Sequence, residues 1–185
     1  MEYTFKVALN DQDYYDFNKF VAFKGKQGKK EIRKARFYLS VLFVVLAVLF
    51  LVLEDFSKDG LYSALTYMIL LVIVQALLKP MMHLIIKMQI KMLKKGGKMP
   101  YSAESVLTFT EEGFLEISAE HKTEQTYAAI ECVSVVEGQA VYVHINKLMG
   151  FLLPEKAFED KAQWDGFVLF LQTKVSTVNF YPSKK

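Results

Sequence analysis

Residues 37–53 read FYLSVLFVVLAVLFLVL and residues 61–78 read LYSALTYMILLVIVQALL, and neither run holds a charged residue. An α-helix rises about 1.5 Å per residue, so roughly 20 apolar residues cross a hydrocarbon core about 30 Å thick. Both runs reach that length once one or two flanking residues are added. Hydrocarbon offers no water to satisfy backbone N–H and C=O groups, so each run is expected to be a helix. Only residues 54–60 separate them. The spacing predicts a transmembrane hairpin over residues 37–78.

The flanks give the hairpin a direction. Lys24, Lys26, Lys29, Lys30, Arg33, Lys34 and Arg36 precede the first run, and Lys79, Lys87, Lys91, Lys94, Lys95 and Lys98 follow the second. The loop between the runs carries Glu54, Asp55 and Asp59 against Lys58. Lys and Arg near helix ends stay on the cytoplasmic side. The expected arrangement is a multi-pass protein of the cell membrane with both termini cytoplasmic and an acidic loop outside. Lys29, Lys30, Arg33, Lys34, Arg36, Lys87, Lys91, Lys94 and Lys95 form the expected membrane-surface basic cluster. Anchoring of topology accounts for it, and attraction to anionic head groups adds about 1 kcal/mol per charge.

Charge changes sign along the chain. The whole sequence carries a formal +3, yet residues 101–185 are acidic, with seven Lys/Arg against twelve Asp/Glu. An acidic domain cannot neutralise phosphates, so nucleic acid is excluded as its partner. The single cysteine, Cys132, has no internal disulfide partner and fits a reducing compartment. No cleavable signal peptide is read at the start, because the first apolar run begins behind a polar, tyrosine-rich leader.

Outside the hairpin, residues 1–36 read as a strand over 3–9, a helix capped by Asn10 or Asp11 and ending at Phe20 or Val21, and a loop with Gly25 and Gly28 leading into the basic collar. Residues 79–100 read as a basic amphipathic helix and hinge. Pro80 is expected to kink or break the chain there, Gly96 and Gly97 to end the helix, and Pro100 to mark the hinge to the last domain. The helix either lies on the membrane or forms a stalk; its Met81, Met88 and Met92 read as apolar filler. From residue 105 the period becomes two, with strands expected over 105–110, 114–118, 123–128, 130–136, 140–145 and 148–153. The intervening turns fall at 111–113, 120–122, 137–139 and 146–147. Pro154 stops the run, and a helix over 158–173 follows, with Trp164, Phe167, Val168 and Leu171 on one face. The tail from Val175 reads as one more strand or as disordered. The predicted class is a membrane α-helical hairpin plus an α+β domain over 101–185, an antiparallel sheet or barrel capped by a C-terminal helix. The strand over 3–9 is expected to dock onto that sheet, because its apolar face and open edge need cover.

Several segments carry a resemblance. The stretch from Phe109 through Thr110, Glu111, Glu112 and Gly113 to Phe114, residues 127–130, 133–137 and 140–144, and the segment Leu153, Pro154, Glu155, Lys156, Ala157, Phe158 are similar to the YcxB-like family. Its members are bacterial membrane proteins, mainly from Firmicutes, with two transmembrane helices ahead of a small cytoplasmic domain. The resemblance implies a pleckstrin-homology-like (PH-like) domain and carries no biochemical activity or cofactor. Ala128 departs from it, since a bulky residue is expected after Tyr127.

Catalytic motifs do not emerge. His83, His121 and His144 are not spaced as metal ligands, Cys132 lies in a strand without a glycine-rich elbow, and Glu111 and Glu112, as neighbours, face opposite sides of a strand. The expectation is no enzyme, no metal and no cofactor. Within the hairpin Ser63, Ala64, Tyr67 and Gln75 are the candidate helix–helix contacts. Gln75 gains by finding a partner in hydrocarbon, either Ser40 of its own hairpin or a second copy in a homodimer. Expected partners are the bilayer itself and an unidentified membrane or cytoplasmic protein. The expected role is a non-catalytic tethered module binding a protein or lipid at the inner membrane face. The alternative is a self-immunity protein against a bacteriocin or membrane-targeting toxin.

Overall fold

A computed structural model describes residues 2–97, 101–102, 104–119, 121–146 and 149–182. The hinge expected at Pro100, the flanking Lys98, the turn residues Glu120 and Lys147, the strand start at Leu148 and the last three tail residues lie outside the described residues. Two compact units emerge, Met1–Phe17 with Leu93–Lys185, and Asn18–Met92. The leader is therefore divided between them.

The first unit contains two four-stranded sheets. In one, β1 (Tyr3–Ala8), β2 (Glu104–Phe109), β3 (Gly113–Ser118) and β4 (Lys122–Thr126) lie in that order. In the other the order is β7 (Gly150–Pro154), β6 (Ala140–His144), β5 (Cys132–Val136) and β8 (Val178–Tyr181). β1 pairs antiparallel with β2 in a register that sets Tyr3 against Phe109 and Ala8 against Glu104. The leader strand thus docks where its apolar face required cover. The tail is a strand too, pairing parallel with β5 from Val133 opposite Val178 to Val136 opposite Tyr181.

Alternation writes the core. Phe5 and Val7 of β1, and Leu107 and Phe109 of β2, are buried on the inner face. Val133, Val141, Val143 and Leu153 meet them from the second sheet. Each fully buried large apolar side chain contributes about 1.5–3 kcal/mol relative to exposure. Helix α4 (Lys161–Lys174) packs Phe167, Val168, Phe170 and Leu171 into the same cluster. The Phe167 ring lies 4.7 Å from Phe5 and 4.9 Å from Phe109.

Boundaries shift where side chains compete with the backbone pattern. The expected helix start at 158 moves to Lys161, because Asp160 caps the helix through Gln163 N–H at 2.7 Å and Glu155–Ala157 forms a 3-10 turn. The strand expected to 128 ends at Thr126, where Tyr127–Ala129 turns as a 3-10 helix. Pro154 closes β7 instead of merely following it.

Helix α1 (Asp11–Phe23) is capped by Asn10. The Asn10 side chain accepts from the N–H groups of Gln12 and Asp13 at 2.9 Å, and Asp13 accepts from Asn10 N–H in return, a reciprocal cap that satisfies otherwise orphaned donors.

The second unit is helical. α2 (Lys26–Leu53) begins immediately after Gly25, so Gly28 and the basic collar are helical and not in a loop. A Cβ on Gly28 would sit 2.1 Å from the Val21 carbonyl oxygen, so only glycine lets α2 start against the last turn of α1. α3 (Lys58–Lys95) runs without a break through Pro80. Of the kink or break expected there, the break is absent, because helix-forming residues on both sides sustain the ladder around one missing donor. The hairpin turn places Asp55 and Phe56 in the left-handed region, with φ of 49° and 55°. α2 and α3 are long and apolar enough to cross a membrane, and only 6% of the most apolar window of each is buried. A core helix of a water-soluble domain would bury most of that stripe.

Candidate functional site

The strands of the sandwich have two open ends. At one, Phe109 and Tyr3 meet the aromatic face of α4, and Phe114 stacks on Phe109. The other end, marked by Ser105, Glu116 and the β3–β4 turn, is not filled. A groove of about 420 Å³ opens there, lined by the start of β2, the polar ends of β3 and β4, the β6–β7 connection and the first turns of α1.

Period two places the groove's polar residues. On β3, Phe114, Glu116 and Ser118 share the inward face, and Glu116 stands opposite Thr123 of β4, as Phe114 stands opposite Gln125. The inner face is therefore apolar near α4 and polar at the groove. The Glu116 carboxylate lies 3.3 Å from His121 Nε2, and Ser118 Oγ lies 3.1 Å from His121 Nδ1. This order of hydroxyl, imidazole and carboxylate resembles an activated nucleophile. Here the serine is engaged by the turn: its Oγ accepts from His121 N–H and donates to the His121 carbonyl, both at 3.2 Å. Ser118 and the His121 backbone lock the hairpin, and the register of β3 places Glu116 in the groove lining. Spacing alone did not single out Glu116 and His121, although a carboxylate on the inward stripe of β3 was a usable signal.

The apolar walls come from Leu9, Leu107, Ile145, Phe151 and Leu152, and from Tyr14 and Phe17 of α1. A polar network holds α1 in place. Asp11 accepts from Lys94 Nζ at 2.6 Å and from Tyr101 Oη at 2.9 Å, and Asp13 pairs with Lys156 at 2.6 Å. The Lys94 hydrogen bond holds the Asp11 carboxyl below the usual carboxylate range. Burial, reinforced by the bond to Asp11, pushes the Tyr101 phenol up to about 12. The Tyr14 and Tyr101 rings pack at a tilt of 39°, their centroids 5.2 Å apart. Deeper, Phe17 stacks on the ring of buried His144 at 5.9 Å, and His144 Nε2 lies 3.2 Å from Ser134 Oγ.

The candidates read from sequence fall elsewhere. Lys29, Lys30, Arg33, Lys34 and Arg36 lie on the first turns of α2, where Lys34 is 3.7 Å from Glu31. Lys87, Lys91 and Lys95 lie on α3, and Lys94 is committed to Asp11. Gln75 Nε2 donates to the Arg36 carbonyl at 3.0 Å and to Ser40 Oγ at 3.1 Å, so the amide is used within its own hairpin. Tyr67 stacks on Phe50 at 5.1 Å, Ala64 is buried, and Ser63 is half-buried. The amide nitrogen therefore has both its partners within one hairpin. His83 stacks on Phe23 at 4.4 Å, and Cys132 is half-buried at the start of β5. Among the described residues no group of three or more His, Cys, Asp or Glu is placed to hold a metal.

Comparison of the chain with protein-family models, with curated proteins and with solved structures gives no match.

Proposed function

We propose that this chain is a membrane-tethered, PH-like binding module without catalytic activity, which holds a protein partner at the cytoplasmic face of a bacterial cell membrane. The observation that carries the reading is the pairing of β1 with β2. The two apolar helices lie between these strands in the sequence. Strands on opposite sides of a bilayer cannot pair, so a membrane-entering insertion between them must return to the side it left. The basic flanks and acidic loop favour the cytoplasm as that side.

Four strands in one sheet, β5 to β7 in the second and a C-terminal helix match the layout of a PH-like domain, with β8 as an addition. That layout supports the family resemblance noted above. The acidic balance of residues 101–185 and the groove carboxylate favour a protein over an anionic lipid. The engagement of Ser118 by its own turn favours binding over covalent chemistry.

The test is thiol labelling in intact cells, in a Cys132→Ser background. Ser57→Cys in the hairpin loop is expected to react with a membrane-impermeant maleimide. Glu124→Cys, exposed on β4, is expected to react only after permeabilisation. The opposite pattern overturns the reading.

A further inference from the structure

We infer that the groove beside α1 receives a lysine or arginine side chain, flanked by apolar residues, presented by the partner protein. This rests on the recruitment reading above and names the chemistry of its partner. The volume, about 420 Å³, lies within the range of ligand sites. Among the described residues Glu116 is the one carboxylate lining it, and no lysine or arginine does so. Its side chain is only 16% exposed, whereas its hydrogen-bond partner, His121, is 48% exposed at the rim. A carboxylate this withdrawn from water gains from a stronger donor than a rim imidazole, and an ammonium or guanidinium group supplies charge-assisted hydrogen bonds.

The rest of the groove fits the remainder of such a side chain. Leu107 and Phe151 offer apolar wall to the methylene stem, which packs while its charged head seeks the carboxylate. Tyr14 and Tyr101 bring aromatic rings to the same lining, and a cation is attracted to such rings. Thr123 and Gln125 offer oxygen acceptors beside Glu116. An anionic group would instead meet Glu116 with no lysine or arginine from the described lining to offset it.

The test uses the full chain in nanodiscs of zwitterionic lipid, with empty nanodiscs as background. The probes are the peptides acetyl-Leu-Lys-Leu-amide and acetyl-Leu-Glu-Leu-amide, followed by saturation-transfer NMR titration. The lysine peptide is expected to bind saturably, and the glutamate peptide at least ten-fold more weakly. Glu116→Gln, which keeps the side-chain size, is expected to weaken the lysine peptide at least ten-fold. His121→Ala, which removes the competing internal partner, is expected to tighten it. Opposite shifts from two neighbouring substitutions are not a signature of general unfolding. The inference is overturned by lysine-peptide binding no greater than to empty nanodiscs, by indifference to Glu116→Gln, by weakening on His121→Ala, or by equal binding of the glutamate peptide. Failure of the tethering reading would appear in the thiol-labelling pattern and would leave these titrations unchanged.

Discussion

Gln75 Nε2 donates to Ser40 Oγ at 3.1 Å, across 35 residues of sequence and between the two apolar helices. The same amide nitrogen reaches the Arg36 carbonyl, to which Ser40 also donates at 2.9 Å. Polar groups in hydrocarbon seek partners, and this cluster closes on itself. Gln75→Leu is therefore expected to loosen the hairpin by about 0.6 kcal/mol, and not more than about 1.7. Its oligomeric state in nanodiscs should stay that of the wild type. Unfolding measured by steric trapping, with mass photometry alongside, checks both statements. A shift from dimer to monomer on substitution would contradict the intramolecular account.

Phe5 ties the leader to the domain. Its ring lies within 6.2 Å of Phe109, Phe158 and Phe167, and it is 1% exposed. Phe5→Ala removes a buried aromatic from a site bounded by rigid strands and is expected to cost about 3–5 kcal/mol. Denaturant unfolding of the full chain in mild detergent, followed by the single tryptophan, Trp164, reads the loss directly. Trp164 reports on this core because it packs against Phe158 at 4.7 Å. A loss below about 1 kcal/mol would mean that β1 contributes little to the sandwich.

His144 makes the domain sensitive to acid. It is 8% exposed, and burial holds its pKa below the usual value, with Glu131 acting weakly in the other direction. Above about pH 6.5 the imidazole is neutral in both folded and unfolded chains, and its contribution to stability is fully present. As pH falls through that value the unfolded chain takes up a proton that the fold resists. Stability then declines by at most about 1.4 kcal/mol per pH unit, until the lower folded pKa is passed. Denaturant melts at pH 7.5 and 5.5, compared with His144→Gln, isolate this slope. An unchanged slope in the variant would assign the acid sensitivity to other groups.

Gly28 governs the junction of α1 and α2. Any side chain there drives a Cβ to 2.1 Å from the Val21 carbonyl and 2.3 Å from that of Ala22. Gly28→Ala is expected to force the two helices apart, at a cost of about 1–3 kcal/mol or more. Faster proteolysis around Lys24 and Lys26 in nanodisc-embedded protein is the readout. Protection equal to wild type would show that the junction yields without loss.

Legibility differed by element for physical reasons. The inward stripe of β2, with Leu107 and Phe109, was readable because a strand alternates its faces every residue. The cap was readable to within one residue, as Asn10 or Asp11, because capping acts within three residues. Pro80 left a kink and a break open, since a single proline reports a local cost and not whether the surrounding helix absorbs it. Glu116 and His121 were separately visible, yet their pairing depends on how the turn from Ser118 folds the imidazole back over β3. The tail strand β8 was ambiguous because its parallel partner, β5, lies more than forty residues upstream.

The sequence by itself determined the two long apolar helices, the alternating strands and the charge asymmetry around the hairpin. These follow from length, hydropathy and period, which are local and cumulative along the chain. Only the tertiary structure decided that Tyr3 stands opposite Phe109, that Gln75 is satisfied by Arg36 and Ser40, and that one end of the sandwich is closed by α4 while the other keeps a groove with Glu116 inside. Each of those outcomes turns on the register and packing of residues distant in sequence. Such contacts form only when their combined burial and hydrogen bonding exceed the entropy of closing the intervening chain, a balance that no local stretch contains.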